Sequence, residues 1–170
     1  RPDPPFEKQK VIASQADDPT NGLDINAQIC FFQRGGKQMM IAGEDTDQDK
    51  GDLQGWGIFR VEGDEVGSLR ATEIAKLVPT YQSSADNAEN YGCGVLPDGR
   101  ILTTDVGNQN NGQGDGQLII WFPPYDGEKI SFCKLDIGLT TAQAIAIDRQ
   151  GRVYVATAFP TNAGVYRYTG

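Results

Sequence analysis

A hydrophobic strand, a tight polar turn and a second hydrophobic strand recur three times along the chain. The copies begin at Cys30 (CFFQRGGKQMMIAG), Cys93 (CGVLPDGRILTTD) and Ile145 (IAIDRQGRVYVAT). Each turn contains a glycine followed by a basic residue, and these glycines are Gly36, Gly99 and Gly151. Runs rich in β-branched and aromatic residues between Gly, Asp and Asn predict strands. We expect the turn glycines to adopt a positive φ.

The same pattern predicts four strands in each of the first two copies and three in the last. The predicted ranges are 29–32, 38–42, 57–61 and 73–78, then 93–96, 100–104, 117–122 and 129–135, and finally 144–148, 152–157 and 165–168. Residues 71–77 (ATEIAKL) have helical propensity. The repeat needs a strand there, so we predict a strand.

The spacing of the copies indicates an architecture. The turn glycines are 63 and 52 residues apart, and a strand-only repeat near ~50 residues is typical of β-propeller blades. The predicted fold class is all-β, with about three four-stranded blades at 24–80, 81–138 and 139–170, the last incomplete. Residues 1–23, rich in Pro, Asp and Asn, are expected to form an N-terminal arm or a loop leading into the first blade. Because propellers close with about 4–8 blades, we expect half of a six-bladed ring, completed by the same chain or by a second copy.

Two copies carry a known repeat motif. TTAQAIAIDRQGRVYVAT and ENYGCGVLPDGRILTTDVGN resemble the NHL-type repeat. Over residues ~24–170 the chain resembles the six-bladed superfamily that includes gluconolactonase/senescence-marker-type (SGL-like) lactonases, squid-type phosphotriesterases and strictosidine-synthase-like proteins. The resemblance implies a calcium-dependent lactonase, esterase or phosphotriesterase. The alternatives are a non-catalytic propeller that binds a small ligand or a protein partner through its loop face, and a strictosidine-synthase-like enzyme.

The resemblance also implies a set of tunnel positions. In the calcium-dependent members the ligands stand eight residues before the turn glycine, and those positions are here Gln28, Tyr91 and Gln143, with Asn90 beside Tyr91. We expect these side chains to converge on a tunnel and to form either a polar pocket floor for a small ligand or a lining solvated by water. Two amides and a phenol carry no charge to hold calcium.

Two polar loops are further candidates. Residues 44–52 (EDTDQDKGD) alternate Asp45, Asp47 and Asp49, a spacing that lets carboxylates surround a calcium ion. The glycine and the final position do not fit an EF-hand, and a solvated acidic loop is the alternative. Asp105 and Asn108 open the stretch TTDVGNQNNGQGDG, which we interpret either as part of a recognition face or as a plain connecting loop.

Composition limits the chemistry and the partners. The 170 residues include no histidine, so a Ser-His-Asp triad or a His-ligated zinc site cannot be built from this chain alone. We expect calcium as the one cofactor to consider, with no zinc and no nucleotide cofactor. With 15 basic and 23 acidic residues the net charge is −8, which repels nucleic acids and anionic membranes. The expected partner is a small molecule or a protein.

The cysteines and the start of the chain give two last expectations. Cys30 and Cys93 both stand six residues before a turn glycine. Because inner strands of neighbouring blades often lie too far apart for a disulfide, we expect buried structural thiols. The beginning RPDPPFEKQK has neither Met nor a hydrophobic leader. It is typical of a trimmed end or of a secreted or periplasmic protein after removal of its signal peptide.

Overall fold

The protein is all-β in the part of the chain that the computed structural model describes, residues 25–44, 55–63, 68–77, 91–105, 117–126, 130–136, 142–157 and 163–168. These residues form three antiparallel sheets. Sheet 1 contains β1 (Ile25–Arg34), β2 (Lys37–Glu44), β3 (Trp56–Glu62) and β4 (Arg70–Leu77). Sheet 2 contains β5 (Cys93–Val95), β6 (Ile101–Asp105), β7 (Gln117–Trp121) and β8 (Phe132–Asp136). Sheet 3 contains β9 (Ala142–Ile147), β10 (Val153–Thr157) and β11 (Gly164–Tyr168).

Within each sheet the strands follow one another in chain order. Every predicted strand overlaps an observed one, and residues 71–77 lie in β4 as predicted, because the β3 partner outweighs their helical propensity. The turn glycines have φ angles of 73°, 88° and 77°, which confirms the predicted positive φ. No helix in the described ranges is long and apolar enough to cross a membrane.

The first hairpin turn is one residue shorter than the other two. In sheet 1 Arg34 pairs with Lys37, so two glycines form the turn. In sheet 2 the Leu96 N–H donates to the Arg100 carbonyl oxygen at 2.8 Å, across three turn residues. Side chains alternate between the two faces of a strand. A β1 residue therefore lies on the opposite face from the β5 or β9 residue at the same distance from its turn glycine.

Two hydrophobic cores lie between consecutive sheets. Sheet 2 contributes one face to each core: Ile101 and Ile119 point towards sheet 1, and Leu102 and Leu118 towards sheet 3. This alternation is what a strand buried on both faces requires. The first strands lie next to one another, since β1 contacts β5 and β5 contacts β9.

Cys30 and Cys93 form a disulfide, so the expectation of buried thiols is wrong. Their Cα atoms are 6.1 Å apart, inside the range that a disulfide needs. The short glycine turn explains the difference. It places Cys30 on the face of β1 that packs against sheet 2, whereas Cys93 is on the face of β5 that packs against sheet 1. Cys133 in β8 is a free, exposed thiol.

Candidate functional site where the first strands meet

The first strands of all three sheets begin at the same end of the molecule, which we call the loop end. Because the strands are antiparallel, β2, β6 and β10 end there. The segments that leave this end, 45–55, 106–116 and 158–163, are longer than the two- and three-residue turns that join the first and second strands at the opposite end. Ligand sites lie preferentially on such connections when a rigid scaffold positions them.

Gln28 joins the three sheets at the loop end. Its backbone N–H donates to the carbonyl oxygen of Tyr91 at 2.9 Å. Its side-chain oxygen accepts the backbone N–H groups of Cys93 and Ile145 at 3.4 and 3.3 Å. Its side-chain NH₂ donates to the Ile145 carbonyl oxygen at 3.1 Å. One half-buried amide therefore satisfies backbone groups of sheets 2 and 3 that have no strand partner on that side.

Gly92 allows the start of sheet 2 to approach sheet 3. A Cβ at Gly92 would lie 2.8 Å from the Gln143 carbonyl oxygen, closer than real contacts allow, so no larger residue fits without moving backbone. The Gly92 N–H donates to the buried Thr104 hydroxyl at 2.8 Å, and the Thr104 N–H donates to the Gly92 carbonyl oxygen at 2.9 Å. Backbone contacts thus fix the positions of Tyr91 and Gln143, which flank this approach.

The structure brings Gln28, Tyr91 and Gln143 to one end of the molecule, but not in one register. Tyr91 and Gln143 occupy corresponding positions before turns of equal length, and both are half-buried. Gln143 lies where the pairing of β9 with β10 shifts, between Ala142 and Ala144. Gln28 is displaced by one residue because of the shorter turn, and its amide is bonded to backbone. A ligand role for these three residues stays a prediction.

Most other candidate residues lie outside the described ranges. They are Asn90, Asn108, Asp45, Asp47 and Asp49. Asp105 is the last residue of β6 and pairs with Gln117 of β7 at the loop end. Within the described residues no group of three or more His, Cys, Asp or Glu could hold a metal ion. The acidic loop is not among these residues, so the calcium expectation stays a prediction.

Trp56 is a loop-end residue that the sequence analysis did not single out. It begins β3 and is 1% exposed, and its indole N–H has no hydrogen-bond partner among the described residues. The other tryptophan, Trp121, donates its indole N–H to the Thr103 hydroxyl at 2.9 Å. An unpaired buried donor costs about 1–3 kcal/mol, so the Trp56 N–H is a candidate donor to a bound polar atom. A tryptophan at the first position of a strand gives no sequence signal for this.

At the opposite end, paired carboxylates close the turns of sheets 2 and 3. Asp98 accepts the backbone N–H of Arg100 at 3.0 Å, and its pKa is lowered mainly by this bond. Desolvation alone would raise the pKa of Asp148. Hydrogen bonds from Arg152, Gln150 and Tyr154 together lower it below its usual value. Both carboxylates are therefore bonded within their own turns and are poor candidates for proton transfer.

Tyr125 is a second buried anchor at the turn end. Its hydroxyl accepts the Ile101 N–H at 3.1 Å and lies 2.8 Å from the Gly99 carbonyl oxygen and 3.0 Å from that of Trp121, so its proton goes to one of two acceptors. Burial raises the pKa of Tyr125 to about 12. The Arg34 guanidinium of sheet 1 lies 5.7 Å from the ring centroid. Tyr125 thus ties a turn of sheet 2 to its own sheet and to sheet 1.

Comparison with known proteins gives no match to a family model, a curated protein or a solved structure. A function for this chain is therefore inferred from its residues and from the motif resemblance.

Proposed function

We propose that the three sheets are consecutive blades of a β-propeller and that the molecule binds a small polar ligand at the loop end without catalysing a reaction. The observation that carries this proposal is the convergence of β1, β5 and β9, with Gln28 bonded to both neighbouring sheets. The strand order within the sheets and the repeat motif also support blades.

Neutral hydrogen-bonding groups favour binding over catalysis. The loop-end candidates in the described residues are the Tyr91 phenol, the Gln143 amide and the unpaired Trp56 indole N–H. Such groups orient hydroxyls and carbonyls of a ligand but are poor general bases at neutral pH. A sugar-like molecule or a lactone has the matching chemistry.

Ligand-induced stabilisation tests this proposal. We expect glucono-δ-lactone at millimolar concentration to raise the thermal midpoint, because a ligand that binds only the folded state stabilises it. Tyr91→Phe and Gln143→Ala should abolish the shift, while Gln33→Ala, on an exposed part of β1, should retain it. A lactone that changes no midpoint, or variants that shift like the wild type, would argue against binding at this end.

The second candidate function is a calcium-dependent lactonase or esterase, favoured by the motif resemblance and by the spacing of Asp45, Asp47 and Asp49. In that case calcium would polarise the substrate carbonyl and activate water. Lactone and aryl-ester hydrolysis should then disappear with a chelator and return with added calcium. Calcium titration by calorimetry gives a separate measure. Turnover restored by calcium would replace the binding proposal with the hydrolase.

A further inference from the structure

The two junctions between sheets follow one pattern in their first strands. At the first junction Cys30 of β1 is bonded to Cys93 of β5. At the second, a Cβ on Gly94 of β5 would lie 2.9 Å from the Ile145 side chain of β9. Cys93 and Ile145 each stand six residues before their turn glycine and face the preceding sheet. At each junction, the residue six positions before the turn glycine therefore lies against the first strand of the preceding sheet.

Sheet 3 carries the next surface in this series. Ala146 stands five residues before Gly151, as Gly94 does before Gly99. Ala144 and Ala146 are exposed, and Val165 is 71% exposed. Cross-strand pairing places these residues on one side, away from sheet 2. We call this surface the open face of sheet 3; its apolar residues are Ala144, Ala146, Ala156 and Val165, and Tyr154 and Arg167 lie on the same face.

Sheet 1 carries the matching surface at the other end of the series. Ile29 and Phe31 of β1 are 48% and 58% exposed, on the side opposite Cys30. Because of the two-residue turn, Phe31 corresponds to Cys93 and Ile145, each standing three residues before the residue that flanks the turn. We call Ile29 and Phe31 the exposed edge of sheet 1. On the same face of sheet 1, the apolar residues of β2 and β3 are buried; they are Met40, Ala42 and Phe59.

We propose that the open face of sheet 3 binds the exposed edge of sheet 1 in a second copy of this chain, with Ala146 against Phe31 as Gly94 lies against Ile145. Continuity with two existing junctions supports this occupant, and one chain carries both complementary surfaces. A head-to-tail contact buries both of these surfaces on each copy when two copies close on each other, and the six described sheets of two copies fall within the usual size of a propeller. The inference rests on the part of the proposed function that makes the sheets successive blades, and it does not depend on ligand binding.

The native mass of the unmodified chain is the first test. Light scattering over a hundredfold range of concentration should give twice the mass of one chain at the upper end. Phe31→Asp should weaken association by about tenfold or more, because it places a charge in an apolar contact. A monomer at every concentration would overturn the proposal, and masses that keep rising would overturn the closed pair.

Cross-linking tests the register. Phe31→Cys and Ala146→Cys are made separately in a Cys133→Ser background, so that no native free thiol competes. Mixed and oxidised, the two variants should give a covalent dimer, and neither should do so alone because the contact is head to tail. Val165→Cys, on the same face but two strands from β9, should not cross-link to Phe31→Cys. Dimers of native mass without the 31–146 bond would overturn this interface.

The outcomes also separate this inference from the proposed function. A monomer that is still stabilised by glucono-δ-lactone would overturn the contact and leave ligand binding in place. A cross-linked pair whose thermal midpoint does not change with the lactone would support the contact and overturn ligand binding.

Discussion

The side chain of Gln28 supplies hydrogen bonds that three separate sheets cannot make through their backbones. The starts of β1, β5 and β9 come together without forming a ladder, and the backbone groups of Cys93 and Ile145 that point into this gap are met by one amide. Buried backbone groups need partners, so this residue stabilises the junction irrespective of any ligand.

Replacement of Gln28 tests that role at the residue scale. Gln28→Ala leaves these backbone groups unpaired and should lower the free energy of unfolding by about 1–3 kcal/mol. Gln33→Ala on the same strand removes only an exposed bond to the Gln38 side chain and should change stability little. Urea unfolding followed by circular dichroism measures both. Equal losses in the two variants would refute the bridging role.

Tyr125 should make stability depend on alkaline pH. The pKa of Tyr125 is raised to about 12 by burial, while an unfolded tyrosine ionises near ~10. The folded state therefore holds this proton longer, so its stabilising contribution is complete below pH ~10 and is lost between ~10 and ~12. Tyr125→Phe should cost about 1–3 kcal/mol at neutral pH, since the Ile101 N–H loses its acceptor.

The comparison of pH profiles separates Tyr125 from other ionising groups. Unfolding free energies of the wild type and Tyr125→Phe, measured from pH 8 to the alkaline limit of folding, should converge as the pH rises. Profiles that remain parallel would show that Tyr125 is not the group responsible.

At the scale of strands and turns, the sequence predicted which segments pair but not which face each side chain occupies. Period-two patterns and turn glycines were enough to locate strands in all three sheets. Counting back from Gly36 gives the wrong face for the side chains of β1, because QRGGK makes a two-residue turn whereas LPDGR and DRQGR make three-residue turns. Turn length sets the face. The same count assigns Cys30 and Cys93 to equivalent faces of their strands, although the two faces point towards each other. It also assigns Gln28 to the position equivalent to Tyr91, from which it is displaced by one residue.

The disulfide that results should dominate the stability of the first junction. It closes a loop over a sequence separation of 63 residues, for which chain-entropy estimates give about 4 kcal/mol. Reduction, or Cys30→Ser with Cys93→Ser, should lower the free energy of unfolding by up to that amount. Cys133→Ser should have little effect because that thiol is free and exposed. Thiol labelling of the native protein at one site checks the pairing, and labelling at three would contradict it.

Glycine at the second junction gives an element-scale contrast. A methyl group at Gly94 would meet Ile145 and Ile147 of β9 at under 3.0 Å, whereas one at Gly99 has open space and suffers only from the positive φ. Gly99→Ala should therefore cost about 1–2 kcal/mol. Gly94→Ala should cost about 1–3 kcal/mol through overpacking, and a second substitution, Ile147→Val, should recover part of that loss only in the Gly94 variant. Equal recovery in both would argue against the close approach of β5 and β9.

For the molecule as a whole, sheet 2 is the layer that both cores share. Ile101 and Ile119 belong to the core with sheet 1. Their sequence neighbours Leu102 and Leu118 belong to the core with sheet 3. Neither core can be lost without exposing one face of sheet 2 to water. The three sheets should therefore unfold together, although their sequences are separate along the chain.

A substitution in one core, observed from the other, tests this coupling. Val155 of β10 is fully buried in the core between sheets 2 and 3, and Val155→Ala should cost about 2 kcal/mol. Both tryptophans, Trp56 and Trp121, lie in the core between sheets 1 and 2, so their fluorescence reports on that core alone. If the sheets unfold together, the fluorescence midpoint in urea should fall as far as the circular dichroism midpoint. A fluorescence midpoint that stays at the wild-type value while circular dichroism shows two steps would mean that sheet 3 unfolds by itself, and that the shared layer does not couple the two cores.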